Sequence, residues 1–292
     1  MTENNTTVIH EITIFAEPVF HFGGLTVTNS LLSGWLATFL IVVMGIMIRR
    51  SLKQVPGKLQ VLFEMAVEGA LGVCDQVTND RKKSLKVLPF AITIFFFILI
   101  NNYLGLLPGV GSIGFIETHE AERIFVPLFR GGTADINTTL ALSLFTVVAA
   151  NIFGIVSIGL WKSFNKYVNL KAVWNGVRNI RKDPTGIIVG PITFFVGILE
   201  IIGEMAKVAS LSFRLFGNIF AGEVLLAAMS AISQFILPIP FLFLEVGVGA
   251  IQAFIFSMLT VVYFTIASAD HDEHNTEAHH TENTEKVPAL TN

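Results

Sequence analysis

The chain has 292 residues, of which 52% are hydrophobic and 14% charged, with 26 phenylalanines and a mean hydropathy of +0.67. Soluble domains carry roughly 25% charged residues, so this composition excludes an ordinary soluble domain and points to a bilayer. The net charge of -3 comes with no basic patch and gives no support to nucleic-acid binding. A single cysteine, Cys74, leaves no pair for a disulfide framework or a cysteine-based metal site. Length is therefore best converted into spans of about 20 residues, and one polytopic bundle of about five helices is expected.

The first 30 residues lack the positive flank and uninterrupted apolar stretch of a signal peptide, so the first span is expected to be a retained anchor. Residues 31–48 carry no charge and stop at Arg49, Arg50 and Lys53, a positive flank expected on the cytoplasmic side. Over 56–77 the pattern changes: Leu59, Leu62, Phe63, Ala66, Val67, Ala70 and Leu71 lie at helical spacing opposite Gln60, Glu64 and Glu68. An amphipathic helix on the membrane surface is expected there. Arg81, Lys82, Lys83 and Lys86 follow it and keep both its ends on the positive side.

A second span, about 87–107, ends at Pro108 and opens a connection holding Glu117, Glu120 and Glu122 against Arg123 and Arg130. Its weaker basic bias makes it periplasmic. A third span, about 136–160, is free of charge and leads to Lys162, Lys166, Lys171, Arg178, Arg181 and Lys182, back on the cytoplasmic side. The apolar stretch 187–236 follows; as continuous helix its 50 residues would measure about 75 Å, against a hydrocarbon core of about 30 Å. It must break at a glycine such as Gly203, Gly217 or Gly222, or lie steeply tilted. Pro238-Ile239-Pro240 separates it from a last apolar helix, about 241–269. Five crossings put the N-terminal segment 1–30 in the periplasm and the polar, acidic tail 270–292, expected to be disordered, in the cytoplasm.

Ionisable side chains inside spans carry the functional information, because each costs roughly 2.5 to 3.5 kcal/mol on insertion scales. The last helix holds Glu245, and the long segment before it holds Glu200, Glu204, Lys207, Arg214 and Glu223. Glu200, Glu204, Lys207, Arg214 and Asn218 step by four, three, seven and four, which keeps them on one helical face, with Ser210 extending the stripe. Such a stripe must face protein interior, a wet cavity or another subunit. For Glu200, Glu204 and Lys207 the plain alternative is internal ion pairing, such as Glu204 with Lys207. Glu223, nine residues past Arg214, points roughly the other way. On the last helix Glu245, Gly249 and Gln252 share a face, and Gln252 can hydrogen-bond a guanidinium without neutralising it. An arginine keeps its charge through any proton transfer around it. Arg214 can thus attract a partner's carboxylate and block a continuous proton wire, while the carboxylates Glu223 and Glu245 can relay protons.

Ser210-Leu-Ser-Phe-Arg214-Leu-Phe-Gly-Asn218-Ile-Phe-Ala-Gly222-Glu223 resembles the signature of subunit a of F-type ATP synthases, and Gln252-Ala-Phe-Ile-Phe-Ser-Met-Leu-Thr260 resembles its final helix. Asn101-Asn102-Tyr-Leu-Gly105-Leu-Leu-Pro108 and Ala134-Asp135-Ile-Asn137-Thr138-Thr139-Leu140 are similar to two further motifs of that family, so the likeness covers 56–267. The resemblance implies an all-α polytopic protein whose last two helices, about 187–269, form a long tilted hairpin. It implies a stator beside a ring of c subunits, attached to b subunits of a peripheral stalk and, indirectly, to an F1 sector, in a bacterial inner membrane. By the same resemblance Arg214 faces the ring carboxylate with Gln252 and Asn218 nearby. Glu223, Glu245 and Asp135 line the periplasmic half-channel, and Ser210, Glu200 and Lys207 fall towards the cytoplasmic exit. No catalytic site, cofactor or metal is expected. Two departures stand out: Arg130-Gly131-Gly132-Thr133 replaces a frequent proline before Ala-Asp, expected to affect loop geometry only, and Glu245 stands where some members carry histidine.

Other signals carry less. Gly109-Val-Gly111-Ser-Ile-Gly114 matches the dinucleotide fingerprint, with Asp135 about 20 residues on, but it follows a transmembrane helix and Pro108 instead of a strand. His271, His274, His279 and His280 could coordinate a metal, but they fall in the tail expected to be disordered, and solvated tails rarely preorganise a site. Asn101 and Asn102 are expected to make helix-end and interhelical hydrogen bonds. A secondary ion transporter or antiporter is the main rival function, yet the two related halves of such folds are missing. A purely structural scaffold has little use for Arg214.

Overall fold

The computed structural model describes residues 14–22, 24–53, 57–107, 110, 113–119, 122–159, 186–233 and 236–268. It is an all-α polytopic architecture. Five of its helices are long and apolar enough to cross a membrane. Helix α1 covers Asn29–Ser51, α2 Lys58–Thr78, α3 Arg81–Leu106, α4 Ile136–Ile158, α5 Gly186–Ile232 and α6 Pro238–Ala267. A short 3-10 turn, Gly132–Ala134, precedes α4.

Local chemistry sets several boundaries. Thr28 caps α1, its hydroxyl accepting from the Leu31 N–H, and Arg49 and Arg50 complement the negative end of the same helix. Helix α2 stops at Asn79, which adopts a left-handed φ of 49°. Asp80 then caps α3 by accepting from Lys82 N–H at 2.9 Å. Helix α2 is amphipathic: Leu71 and Cys74 are buried, while Glu64 and Glu68 are exposed. Beside it Asp75 receives Arg81, and the Ser84 hydroxyl and the Arg81 guanidinium close by hold its carboxyl below the ordinary range. Burial pushes the Cys74 thiol up.

Helix α5 is unbroken at Gly203, Gly217 and Gly222. With 47 residues it is about 70 Å long, more than twice the roughly 30 Å hydrocarbon thickness. Of the two expectations for this stretch, a break at one of these glycines is therefore not seen.

Two antiparallel hairpins appear where only connections were expected. Strands β1 (Pro18–Phe22) and β2 (Leu25–Thr28) pair around Gly24, whose φ of +91° needs a residue without Cβ. Strands β3 (Gly114–His119) and β4 (Glu122–Pro127) pair in register from Gly114 with Pro127 to His119 with Glu122. Alternation around Val27 and Val126, both buried, is the signal, hidden by flanking spans of far stronger hydrophobicity.

The described residues within 1–148 and 203–262 form one compact unit, and those within 149–202 and 263–292 a second. In the second, Phe153 and Phe264 meet with ring centroids 5.3 Å apart, and Gly154 lies so close to the Ala267 backbone that no Cβ would fit. In the first, α5 and α6 meet at Asn218 with Gln252 and at Gly222 with Glu245. Helix α1 packs on α3 and α2 on α3, and the loop 128–135 sits buried over the ends of α1 and α3.

Candidate functional site: an outward charge and a buried acidic end

On α5 Leu211, Leu215 and Ile219 are buried at 1%, 0% and 6% exposure. Steps of four hold them on one face. The residues one position earlier, Ser210, Arg214 and Asn218, fall about 100° round the helix and are all exposed. Arg214 therefore projects from the apolar span on its open side. Among the described residues it makes no hydrogen bond or ion pair. Gly217 beside it has nothing within 4 Å of a Cβ position, so the backbone around the guanidinium is bare and free to be approached closely. Behind this surface Asn218 donates to Gln252 Oε1 at 2.9 Å. Gln252 is 2% exposed, and among the described residues its Nε2 has no hydrogen-bond partner. Gln252 thus steadies Asn218 and does not touch Arg214 here.

The acidic end lies two to three turns further along α5. Glu223 accepts from Arg130 Nη2 at 2.9 Å and from Arg130 Nε at 3.3 Å, both on Oε2. Arg130 also donates to the Phe15 carbonyl at 3.4 Å. The two side chains are 10% and 28% exposed, so this is a substantially desolvated pair. The Arg130-Gly131-Gly132-Thr133 departure consequently does more than reshape a loop: it brings in the cation for Glu223. Gly131 lets the loop lie against Gly105, and its Cβ position is 3.7 Å from Glu223 Oε1.

Glu245 enters the same region from α6. It is 5% exposed, and its carboxylate occupies the space where a Cβ on Gly222 would stand. Glycine at 222 is therefore what admits the carboxylate between the two helices. Glu223 acts on Glu245 as a like charge, and among the described residues no cation pairs with Glu245.

Asp135 is 3% exposed. It accepts from Ser30 Oγ at 2.9 Å, Asn137 N–H at 3.1 Å and Thr138 Oγ1 at 3.2 Å. Its hydrogen bonds go to α1 and to the start of α4, and not to either glutamate. Next to it Thr133 donates to Asn102 Oδ1 at 2.6 Å, and Asn102 donates to the Gly249 carbonyl at 3.0 Å. Asn102 makes the interhelical bond expected of it, and Asn101 bonds the Phe97 carbonyl one turn back at 2.8 Å. Thr139 and Ser212 share a hydrogen bond of 3.2 Å between α4 and α5.

Lys207 donates to Glu204 at 2.7 Å, which realises the plain ion pair weighed for them. Glu200 lies two turns before Lys207 on the same helix. Sequence reasoning missed Arg130, Ser30 and Thr133 as members of the acidic end. For Arg130 a signal existed: one basic residue beside two glycines, directly before Ala134-Asp135.

The geometry amounts to a positive charge, unpaired among the described residues, on the exposed face of an apolar helix, and a separate cluster of largely buried acids. Known proteins are similar in sequence. The family model described as ATP synthase A chain matches residues 31–265. ATP synthase subunit a of Mycobacterium bovis is 33% identical over 264 residues, covering 86% of this chain and 92% of its own length. The same subunit of Syntrophobacter fumaroxidans is 30% identical over 247 residues, covering 83% and 85%. That of Shewanella putrefaciens is 34% identical over 228 residues, covering 75% and 73%. With an outward arginine and a buried acidic end in place, and the match running through every membrane helix, the chain belongs to the ATP synthase A chain family.

Proposed function

We propose that the chain is the stator proton-channel subunit of a rotary F-type ATP synthase, carrying protons to and from the carboxylates of a c-subunit ring through two half-channels. The observation that carries this reading is Arg214: a permanent charge on the open face of an apolar helix, with no partner among the described residues. A charge so placed is costly in lipid, and a carboxylate on a neighbouring subunit is the counter-charge it lacks. Asn218, held by Gln252, and Gly217 give that subunit a smooth, close approach.

The inlet is the acidic end. Arg130 pairs with Glu223, whereas no cation pairs with Glu245 among the described residues, so a proton is the counter-charge available to Glu245. A proton passes from water to a Glu245 carboxylate oxygen, then to the ring carboxylate as that group leaves Arg214, restoring Glu245 for the next. Glu223 with Arg130, and Asp135 with Ser30, fix the field at the entrance. On the far side of Arg214 the ring carboxylate releases its proton to water along Ser210, Lys207 and Glu200. Arg214 accepts no proton and so keeps the two paths apart.

The basic residues Arg49, Arg50, Lys53, Arg81, Lys82, Lys83 and Lys86 gather at the end of the bundle opposite the acidic cluster. By the positive-inside rule that end is cytoplasmic. The N-terminal segment 1–30 then lies in the periplasm and the tail 270–292 in the cytoplasm of a bacterial inner membrane, with the membrane helices over 31–269 between them. The partners are the c-ring, the b subunits of a peripheral stalk and, indirectly, the F1 sector. The test is proton uptake by the reconstituted complex. Glu245→Gln should slow uptake strongly and Glu223→Gln less so, and uptake at the original rate in the double variant would remove both acids from the path.

A further inference from the structure

We propose that the crevice between α1, α2 and α3 is a binding site for an anionic diacyl phospholipid. A cavity of about 640 Å³ lies there, walled by Leu40, Met44 and Met47 of α1, Phe63 and Ala66 of α2, and Ile100 of α3. Its lining is almost wholly apolar, Ser51 and Gln60 at its end excepted, which suits an acyl chain.

Its mouth differs from its walls. Ile48, Ser51 and Leu52 also line it, so the cavity ends at the last turn of α1, where Arg49, Arg50 and Lys53 are exposed. Lys53 is not a loose loop residue. Its N–H donates to Gln60 Oε1 at 3.1 Å, and its carbonyl accepts from Gln60 Nε2 at 3.2 Å. This two-point clamp from α2 holds the Lys53 backbone beside the opening, and Arg50 and Arg49 precede it within one turn at the end of α1. The one acid in this clamp is Glu64, which accepts from Gln60 at 2.9 Å, so the rim is left with a net positive charge.

An apolar slot with a cationic rim at a membrane surface matches the two ends of one molecule: a hydrocarbon chain inside, and a phosphate-bearing anionic headgroup on the arginines and lysine. Arginine is suited to planar bidentate contact with phosphate. Basic clusters directly outside a membrane helix are attracted to anionic lipid surfaces. Zwitterionic lipid fills the slot equally well but gains less at the rim, and this difference separates a specific site from general lipid solvation.

The test is native mass spectrometry of the full-length chain equilibrated with an equimolar mixture of phosphatidylglycerol and phosphatidylethanolamine carrying the same acyl chains. The expected result is retention of phosphatidylglycerol over phosphatidylethanolamine by about tenfold or more, weakening as ionic strength rises. Arg49→Gln/Arg50→Gln/Lys53→Gln should bring the ratio near unity, whereas Lys82→Gln/Lys83→Gln, in the other basic cluster, should leave it unchanged. Met44→Trp, or Ala66→Leu should the first not fold, fills the slot and should abolish retention of both lipids. Equal retention of the two lipids by the unaltered chain, an undiminished preference in the triple variant, or undisturbed retention in a folded slot-filled variant would each overturn the site.

Discussion

Replacing Arg130 with glutamine removes the cation hydrogen-bonded to the Glu223 carboxylate, and the structure sets the size of the effect. Two N–H groups of Arg130 converge on one oxygen of Glu223, at 2.9 and 3.3 Å, with the side chains 10% and 28% exposed. Removing one partner of a fully buried pair costs about 3 to 5 kcal/mol, and a hydrogen bond to a charged group contributes about 1.5 to 3 kcal/mol. Because over a quarter of Glu223 remains open to solvent, the lower range applies, and Arg130→Gln should destabilise the folded bundle by about 2 kcal/mol. Glu223→Gln should cost less, since Arg130 keeps the Phe15 carbonyl. In Arg130→Gln/Glu223→Gln neither charge of the pair remains, so the double variant should be more stable than the sum of the single changes implies, by about 1.5 kcal/mol or more. Unfolding in mixed micelles of mild and denaturing detergent, followed by loss of helicity, measures the four corners of the cycle. Additivity within about 0.5 kcal/mol would refute an energetically significant pair and, with it, the assignment of Arg130 as the cation of Glu223.

Gly222→Ala should destabilise the α5–α6 pair by about 1 to 3 kcal/mol, because its methyl group meets the Glu245 carboxylate; the same detergent unfolding assay reads it. Gly217→Ala faces open space and should leave the isolated chain's stability unchanged or raised, yet slow ATP synthesis by crowding the ring; full synthesis would show that the ring does not approach there. The folded Asp75 carboxyl titrates below its ordinary range, so its contribution is complete above the unfolded value of about 4 and is lost as pH falls through the folded value. Amide exchange across residues 78–84 should accelerate over that acid window, and Asp75→Asn should remove the acceleration.

Charge-free stretches ending in basic residues were legible as spans because the bilayer imposes length and sidedness on sequence. The stripe of Ser210, Arg214 and Asn218 was legible too, since a helix of fixed pitch converts steps of four into one face. The pairing of Arg130 with Glu223 was not, because it joins residues 93 apart and depends on Gly131 and Gly105 letting a loop descend onto α5. Nor was the space for Glu245, which depends on a glycine in the neighbouring helix. Helical periodicity speaks for one element at a time, and both features arise between elements. The β1–β2 and β3–β4 hairpins were hidden for a different reason: short alternations beside long apolar runs look like tails of the runs.

The most direct test of the account is Arg214→Ala in the intact complex reconstituted into vesicles, with ATP-driven proton pumping and passive proton leak measured together. The account predicts that coupled pumping is lost and that passive leak through the membrane sector rises, because the two paths are no longer kept apart. Pumping at the original rate with unchanged leak would contradict it.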